Sequence, residues 1–89
     1  MAASFKLTII TPEKTFFEGT IVSMVAPCEL GYLGVLANHA PLAANTLAGK
    51  IRIKKDSGEW VTFYSKGKGF LEVFKNNVTL LLRCVGAQE

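Results

Sequence analysis

The sequence predicts an all-β fold, a sandwich or a barrel, and three observations carry that expectation. Apolar residues recur with a period of two, as where Phe5, Leu7 and Ile9 alternate with Lys6 and Thr8. Turn-forming residues separate the apolar runs at short intervals. No stretch shows the 3.6-residue apolar spacing of a substantial amphipathic helix.

The elements follow in order. Phe5 to Ile9 reads as a half-buried strand, broken at Thr11-Pro12-Glu13-Lys14. Phe16-Phe17 makes a short second strand and Glu18-Gly19 a turn. Thr20 to Ala26 is rich in β-branched residues and reads as a third strand, stopped by Pro27. The run Gly31 to Leu42 is a loop by its two glycines, its proline and its near lack of charge. A turn or so of helix is the only helical candidate, around His39 to Leu47, and Pro41 argues against a long one. Ala43 to Ala48 carries no firm signal. Lys50 to Lys54 alternates cleanly, Asp56-Ser57-Gly58-Glu59 is a turn, and Trp60 to Tyr64 is the return strand. Phe70 to Phe74 and Val78 to Val85 form another hairpin around Lys75-Asn76-Asn77, because Asn tolerates positive φ. Nothing after residue 85 is long enough to add an element, so residues 1–89 read as one domain.

Composition narrows the function. About half of the chain is hydrophobic, at 49%, which excludes a disordered segment. The net charge of +3 is mildly basic. Lys50, Arg52 and Lys54 share one face of a strand, read as solvated sheet with an anionic contact as the alternative. Cys28 and Cys84 form no CxxC pattern, and with a single histidine they fall short of a zinc site. They read as buried free thiols, with a disulfide between them left open. Met1-Ala2-Ala3-Ser4 does not start a signal peptide, and no apolar run reaches the ~18–20 residues of a membrane span. The chain reads as soluble. Asn77-Val78-Thr79 matches a glycosylation sequon, but a hairpin role explains the asparagines better.

Catalysis has little support. His39 has no Ser, Cys or Asp close to it in sequence and reads as a structural or interface residue. Glu13, Glu18, Glu29, Glu59 and Glu72 read as surface carboxylates. Ser65-Lys66-Gly67-Lys68-Gly69-Phe70 lacks the P-loop spacing. It half-matches the RNP1 motif of RNA-binding sheets, a module that also needs two helices. Gly67 and Gly69 instead suit a bulge or a close backbone approach.

Three segments, taken together, resemble a known family. They are Thr11-Pro12-Glu13-Lys14, then Gly31-Tyr32-Leu33-Gly34-Val35-Leu36 running into Asn38-His39-Ala40-Pro41-Leu42, then Gly69-Phe70-Leu71-Glu72-Val73 followed by Asn77-Val78-Thr79-Leu80-Leu81. Their order and spacing are similar to the N-terminal domain of the epsilon subunit of F-type ATP synthase, called delta in mitochondria. Gly49-Lys50-Ile51-Arg52-Ile53 also fits, and the resemblance covers residues 5 to about 85.

The resemblance implies a flattened β-sandwich of two antiparallel sheets at the foot of a rotating central stalk. It implies a non-catalytic part without cofactor that binds the gamma subunit and the polar loops of the membrane c-ring, coupling proton flow to ATP synthesis. Tyr32, Gly34 and His39 would face the c-ring, and Thr11, His39 and Ala44 would face gamma. The location implied is the cytoplasmic face of a bacterial inner membrane, held there through the complex, with an organelle membrane as the alternative. Two residues depart from the family pattern. Tyr32 stands where an acidic residue is usual, so a charged contact would give way to stacking or cation–π. Lys68 stands where a glycine is usual. The family's C-terminal helical pair is not represented in these residues, so neither self-inhibition nor an ATP site is expected of them. Met1 and the polar finish Gly86-Ala87-Gln88-Glu89 suit a naturally short form, with an excised domain as the alternative. A small single-stranded nucleic-acid binder is the competing reading of the chain.

Overall fold

The computed structural model describes residues 3–87. Nine strands run through them: β1 (Phe5–Ile10), β2 (Thr15–Cys28), β3 (Gly31–Leu36), β4 (Leu42–Thr46), β5 (Gly49–Lys55), β6 (Trp60–Ser65), β7 (Gly69–Phe74), β8 (Asn77–Leu82) and β9 (Val85–Ala87). There is no helix among the described residues. The helical turn expected near His39 to Leu47 is therefore the strand β4, paired with β7 from Leu42↔Val73 to Thr46↔Gly69.

Strand β2 organises the rest. Glu18-Gly19 is not a turn; it lies in the middle of one 14-residue strand. Gly19 stays extended opposite Leu7, and its missing side chain leaves space that the Phe17 ring fills. Pro27 does not end the strand either: its carbonyl accepts the Leu47 N–H at 2.9 Å, and Cys28 still pairs with Gly31. Two bulges shape β2. Phe16 is an extra residue between the pairs Ile10↔Thr15 and Ile9↔Phe17. It turns two consecutive phenylalanines toward Phe63, with ring centroids 5.3 and 5.5 Å away. Val22 is the second extra residue, between Ile21↔Lys55 and Ser23↔Lys54. It shifts the alternation by one, so Ile21 points inward before it and Met24, Ala26 and Cys28 point inward after it.

The result is two packed layers. One runs β1-β8-β7-β4; the other is β3, the end of β2, β5, β6 and β9. The first half of β2 pairs with β1 and joins the layers. Leu7, Ile9, Leu71, Val73, Val78 and Leu80 from the first layer meet Met24, Val35, Ile51, Ile53 and Phe63 from the second. The whole measures 34 × 28 × 23 Å. Pairing is antiparallel except between β1 and β8, which run parallel from Lys6↔Asn77 to Ile10↔Leu81. About seventy residues separate those two strands, so no short connection forces them to run antiparallel.

Two more outcomes differ from expectation. The Lys75-Asn76-Asn77 turn sits one residue earlier: Lys75 and Asn76 have φ of 50° and 62°, and Asn77 already pairs with Phe74. The last strand does not run to Val85. It ends at Leu82, and Val85–Ala87 forms β9 on the edge of β6, opposite Phe63 to Ser65. Three residues suffice there because β6 is already in place as a template.

Gly69 is a close-approach glycine. A Cβ there would collide with the Leu81 carbonyl oxygen and meet Leu82 Cδ2 at 2.6 Å and Thr46 Oγ1 at 2.8 Å, whereas one on Gly67 would meet nothing within 4 Å. Gly69→Ala should therefore cost about 3 kcal/mol in urea unfolding, through forced separation of β4, β7 and β8. Gly67→Ala should stay within about 0.5 kcal/mol of the parent.

Candidate docking surfaces

The run Gly31 to Leu36, read as a loop, is the edge strand β3. Gly31 turns the chain with φ of 117°, and six residue pairs tie β3 back onto β2. Every residue from Gly31 to Leu36 is apolar or glycine, so the period of two was hidden in the sequence. In the fold Leu33 and Val35 point inward while Tyr32, Gly34 and Leu36 point out. Tyr32 is 68% exposed and Leu36 63%. The Tyr32 hydroxyl lies 3.9 Å from where a Cβ on Gly49 would sit, so the ring reaches across Pro27 toward β5. A Cβ on Gly34 would meet nothing within 4 Å. Packing does not require glycine there, which leaves a flat, open spot on the surface.

His39 lies in the connection from β3 in one layer to β4 in the other. A side-chain clamp holds that connection. The Asn38 N–H donates to Asn76 Oδ1 at 2.6 Å, and Asn76 Nδ2 donates to Asn38 Oδ1 at 3.1 Å. Both asparagines take positive φ, 65° and 62°, which Asn tolerates better than most residues. The Asn76 carbonyl accepts the Lys6 N–H at 3.0 Å, so the clamp reaches β1. His39 is half-buried, and its Nδ1 sits 2.8 Å from the Ala40 carbonyl oxygen. That contact requires Nδ1 to donate, which leaves Nε2 as the outward ring nitrogen. The partner is backbone, not a carboxylate or hydroxyl.

Thr11 and Ala44 lie in the first layer. The Thr11 hydroxyl is taken up by its own turn: it donates to the Lys14 carbonyl at 3.1 Å and accepts the Lys14 N–H at 3.3 Å. Ala44 sits opposite Leu71 and faces the core, so the residues that β4 turns outward are Ala43 and Asn45. Ala44 does reach solvent through a groove of about 410 Å³, which also touches Leu30, Tyr32, Leu33, Asn45 and Phe70. A second hollow of about 360 Å³ joins Thr11 and Pro12 to Lys68, Phe70, Leu81 and Arg83. Phe70 borders both. Thr11 and His39 are at opposite ends of the layer, separated by roughly 14 Å of strand.

Sequence reasoning missed three residues of this surface. Phe70, Phe74 and Leu81 stand out from the first layer at 40%, 53% and 47% exposure, with Phe70 directly opposite Leu81. The signal was present. In Phe70-Leu71-Glu72-Val73-Phe74 apolar residues occupy both parities, whereas a strand with one wet face would keep only one. The two cysteines also differ from expectation: Cys28 is buried, but Cys84 is exposed in the break between β8 and β9. Among the described residues no three His, Cys, Asp or Glu side chains gather as a metal site. Among the described residues no helix backs the sheet of the RNP1-like stretch, so they do not form that RNA-binding module.

Comparison with known proteins agrees with this geometry. Residues 4–85 match the model of the ATP synthase delta/epsilon chain β-sandwich domain. The ATP synthase epsilon chain of Dichelobacter nodosus is 40% identical over 81 residues, covering 91% of this chain but 56% of that protein. The epsilon chain of Chlorobium limicola is 40% identical over 78 residues and is matched over 88% of both chains. The chain thus spans little more than half of some relatives and most of others. Among solved structures, a chain of the Euglena gracilis mitochondrial ATP synthase, OSCP/F1/c-ring, superposes with a TM-score of 0.89 over 98% of this chain and 55% of that one. At 17% identity that likeness speaks for the fold alone.

Two outcomes follow from the site. Asn76→Gly keeps the positive φ but removes the clamp; it should lower stability by about 1 kcal/mol and speed hydrogen exchange at the Asn38 amide about tenfold. Burial pushes the Cys28 thiol above its ordinary pKa, so its reactive thiolate is scarce at mildly alkaline pH. A thiol reagent should therefore label Cys84 at once and Cys28 only after unfolding.

Proposed function

Because the chain belongs to the family of ATP synthase delta/epsilon β-sandwich domains, we propose that it serves as a central-stalk part of a proton-translocating F-type ATP synthase. In this reading it is a non-catalytic spacer that binds gamma on one layer and the polar loops of the c-ring at the margin of the other. It couples proton flow to ATP synthesis by carrying torque, at the cytoplasmic face of a bacterial membrane. The observation that carries the proposal is the pair of dissimilar outer faces joined at His39. The first layer shows Phe70, Phe74 and Leu81, apolar surface that a partner would cover. The second shows Tyr32, Gly34 and Leu36 along an edge strand.

Tyr32 and Gly34 are proposed for the ring contact, where Gly34 lets a loop approach the backbone closely. The Thr11 hollow and the Ala44 groove, with Phe70 between them, are proposed for gamma. His39 sits on the crossing between layers and serves both. The clamp and the packed layers favour a part that does not yield under load, since a close-packed interior resists deformation.

Co-expression with a gamma subunit tests this. The parent chain should co-purify with gamma, and Phe70→Asp with Leu81→Asp should lose it while remaining folded by circular dichroism. His39→Ala combined with Gly34→Glu should weaken attachment of the enzyme to its membrane sector more than it weakens the fold. A folded parent chain that does not bind gamma would sink the proposal.

A further inference from the structure

The outer face of the second layer carries a feature that docking at β3 leaves unused. Register places its side chains in three cross-strand rows. Leu36, Ser23, Lys54 and Trp60 form one; Gly34, Val25, Arg52 and Thr62 form the next. Tyr32 with Pro27, and Lys50 with Tyr64, complete the third. Lys50, Arg52 and Lys54 therefore project from one strand on one side, at intervals of roughly 7 Å. Each lies over an aromatic ring: Lys50 is 5.9 Å from Tyr64, while Arg52 and Lys54 are 4.7 and 5.8 Å from Trp60.

Among the described residues no carboxylate pairs with these cations. The ion pairs among the described residues are Lys6–Glu18 and Lys55–Glu59, and both use other lysines. Glu59 is offset by one residue from Trp60 and so belongs to the opposite parity of β6. The face is flat, net positive, and fringed by Tyr32, Leu36, Trp60 and Tyr64.

We propose that this face rests on anionic lipid headgroups at a membrane surface. Charge complementarity calls for an anionic occupant, and the rim of Trp, Tyr and Leu suits a surface that is wet and apolar at once. Strand addition by an acidic peptide is not available at Arg52 and Lys54. From Arg52 to Lys54, β5 is paired on both edges, by β2 and β6, while β9 covers β6 only from Phe63 to Ser65. A single-stranded nucleic acid fits less well. Trp60 and Tyr64 are four residues apart on one strand, roughly 13 Å, too far to stack neighbouring bases. Evenly spaced cations on a plane match headgroups, which neighbour one another laterally. Three cations make a weak attachment, one that matters only where a complex already holds the chain near the bilayer. In that respect the inference rests on the rotor reading, in which the β3 side is turned toward the membrane.

Trp60 is the only tryptophan in the chain, so the face carries its own reporter. The full chain is mixed with vesicles of phosphatidylcholine alone or with phosphatidylglycerol added. Co-sedimentation and a blue shift of Trp60 are expected with the anionic vesicles only, both lost as salt is raised. Arg52→Gln with Lys54→Gln should weaken binding about 25-fold, since each cation near the surface contributes about fivefold. Binding that leaves Trp60 unchanged, binding equal in the double variant, or binding only to oligo-dT or polyglutamate in the same assay would each overturn the proposal. A parent chain that captures gamma but ignores anionic vesicles refutes this inference alone; one that fails with gamma but binds vesicles refutes the rotor reading and leaves the lipid contact standing.

Discussion

The fold depends on one constraint: β2 must belong to both layers. A strand of 14 residues is long for a domain of this size, and a straight one would overrun a single sheet. The extra residue at Val22 resolves this by advancing the side-chain parity, so that Ile21 fills the core from one layer and Met24, Ala26 and Cys28 from the other. Each edge of β2 serves two partners in succession. β1 and then β3 line one edge, and β5 and then a single pair with β4 line the other. Without the bulge, every inward residue after position 22 would turn to solvent.

The surfaces inherit their character from that arrangement. Because β3 has β2 on one side only, it is free to serve as a docking margin. Because β3 and β4 sit in different layers, the chain must cross between them, and the crossing carries His39. The Asn38–Asn76 clamp then fixes that crossing to the β7–β8 turn, far along the chain. A loop that has to hold two surfaces in register gains from such a tie, since an untethered loop would lose its ordering entropy on each contact.

The two outer faces divide the work by chemistry. One is apolar, with Phe70 and Leu81 side by side across β7 and β8. The other is basic and aromatic, with cations laid over Trp60 and Tyr64. Exposed side chains of this size on both faces of so thin a molecule suit a part that spends its life between partners. Among the described residues His39 bonds to backbone, and the Thr11 hydroxyl is taken up by its own turn.

Local pattern along the chain sufficed for the β class, the β5–β6 hairpin, the common face of Lys50, Arg52 and Lys54 and the family resemblance, and it left Gly67 and Gly69 as either a bulge or a close approach. Those are local facts: period two, turn chemistry, and spacing along the chain. Tertiary structure decided what local pattern cannot hold. Gly31 to Leu36 became a strand because β2 offered a free edge, although its uniform apolarity concealed the alternation. Ala44 faces the core because β4 takes its register from β7. Cys28 and Cys84 differ in burial because one lies at the end of β2 between the layers and the other in an exposed break. In each case the deciding partner lies on another strand, and a backbone group or side chain takes its orientation from the neighbour it pairs with.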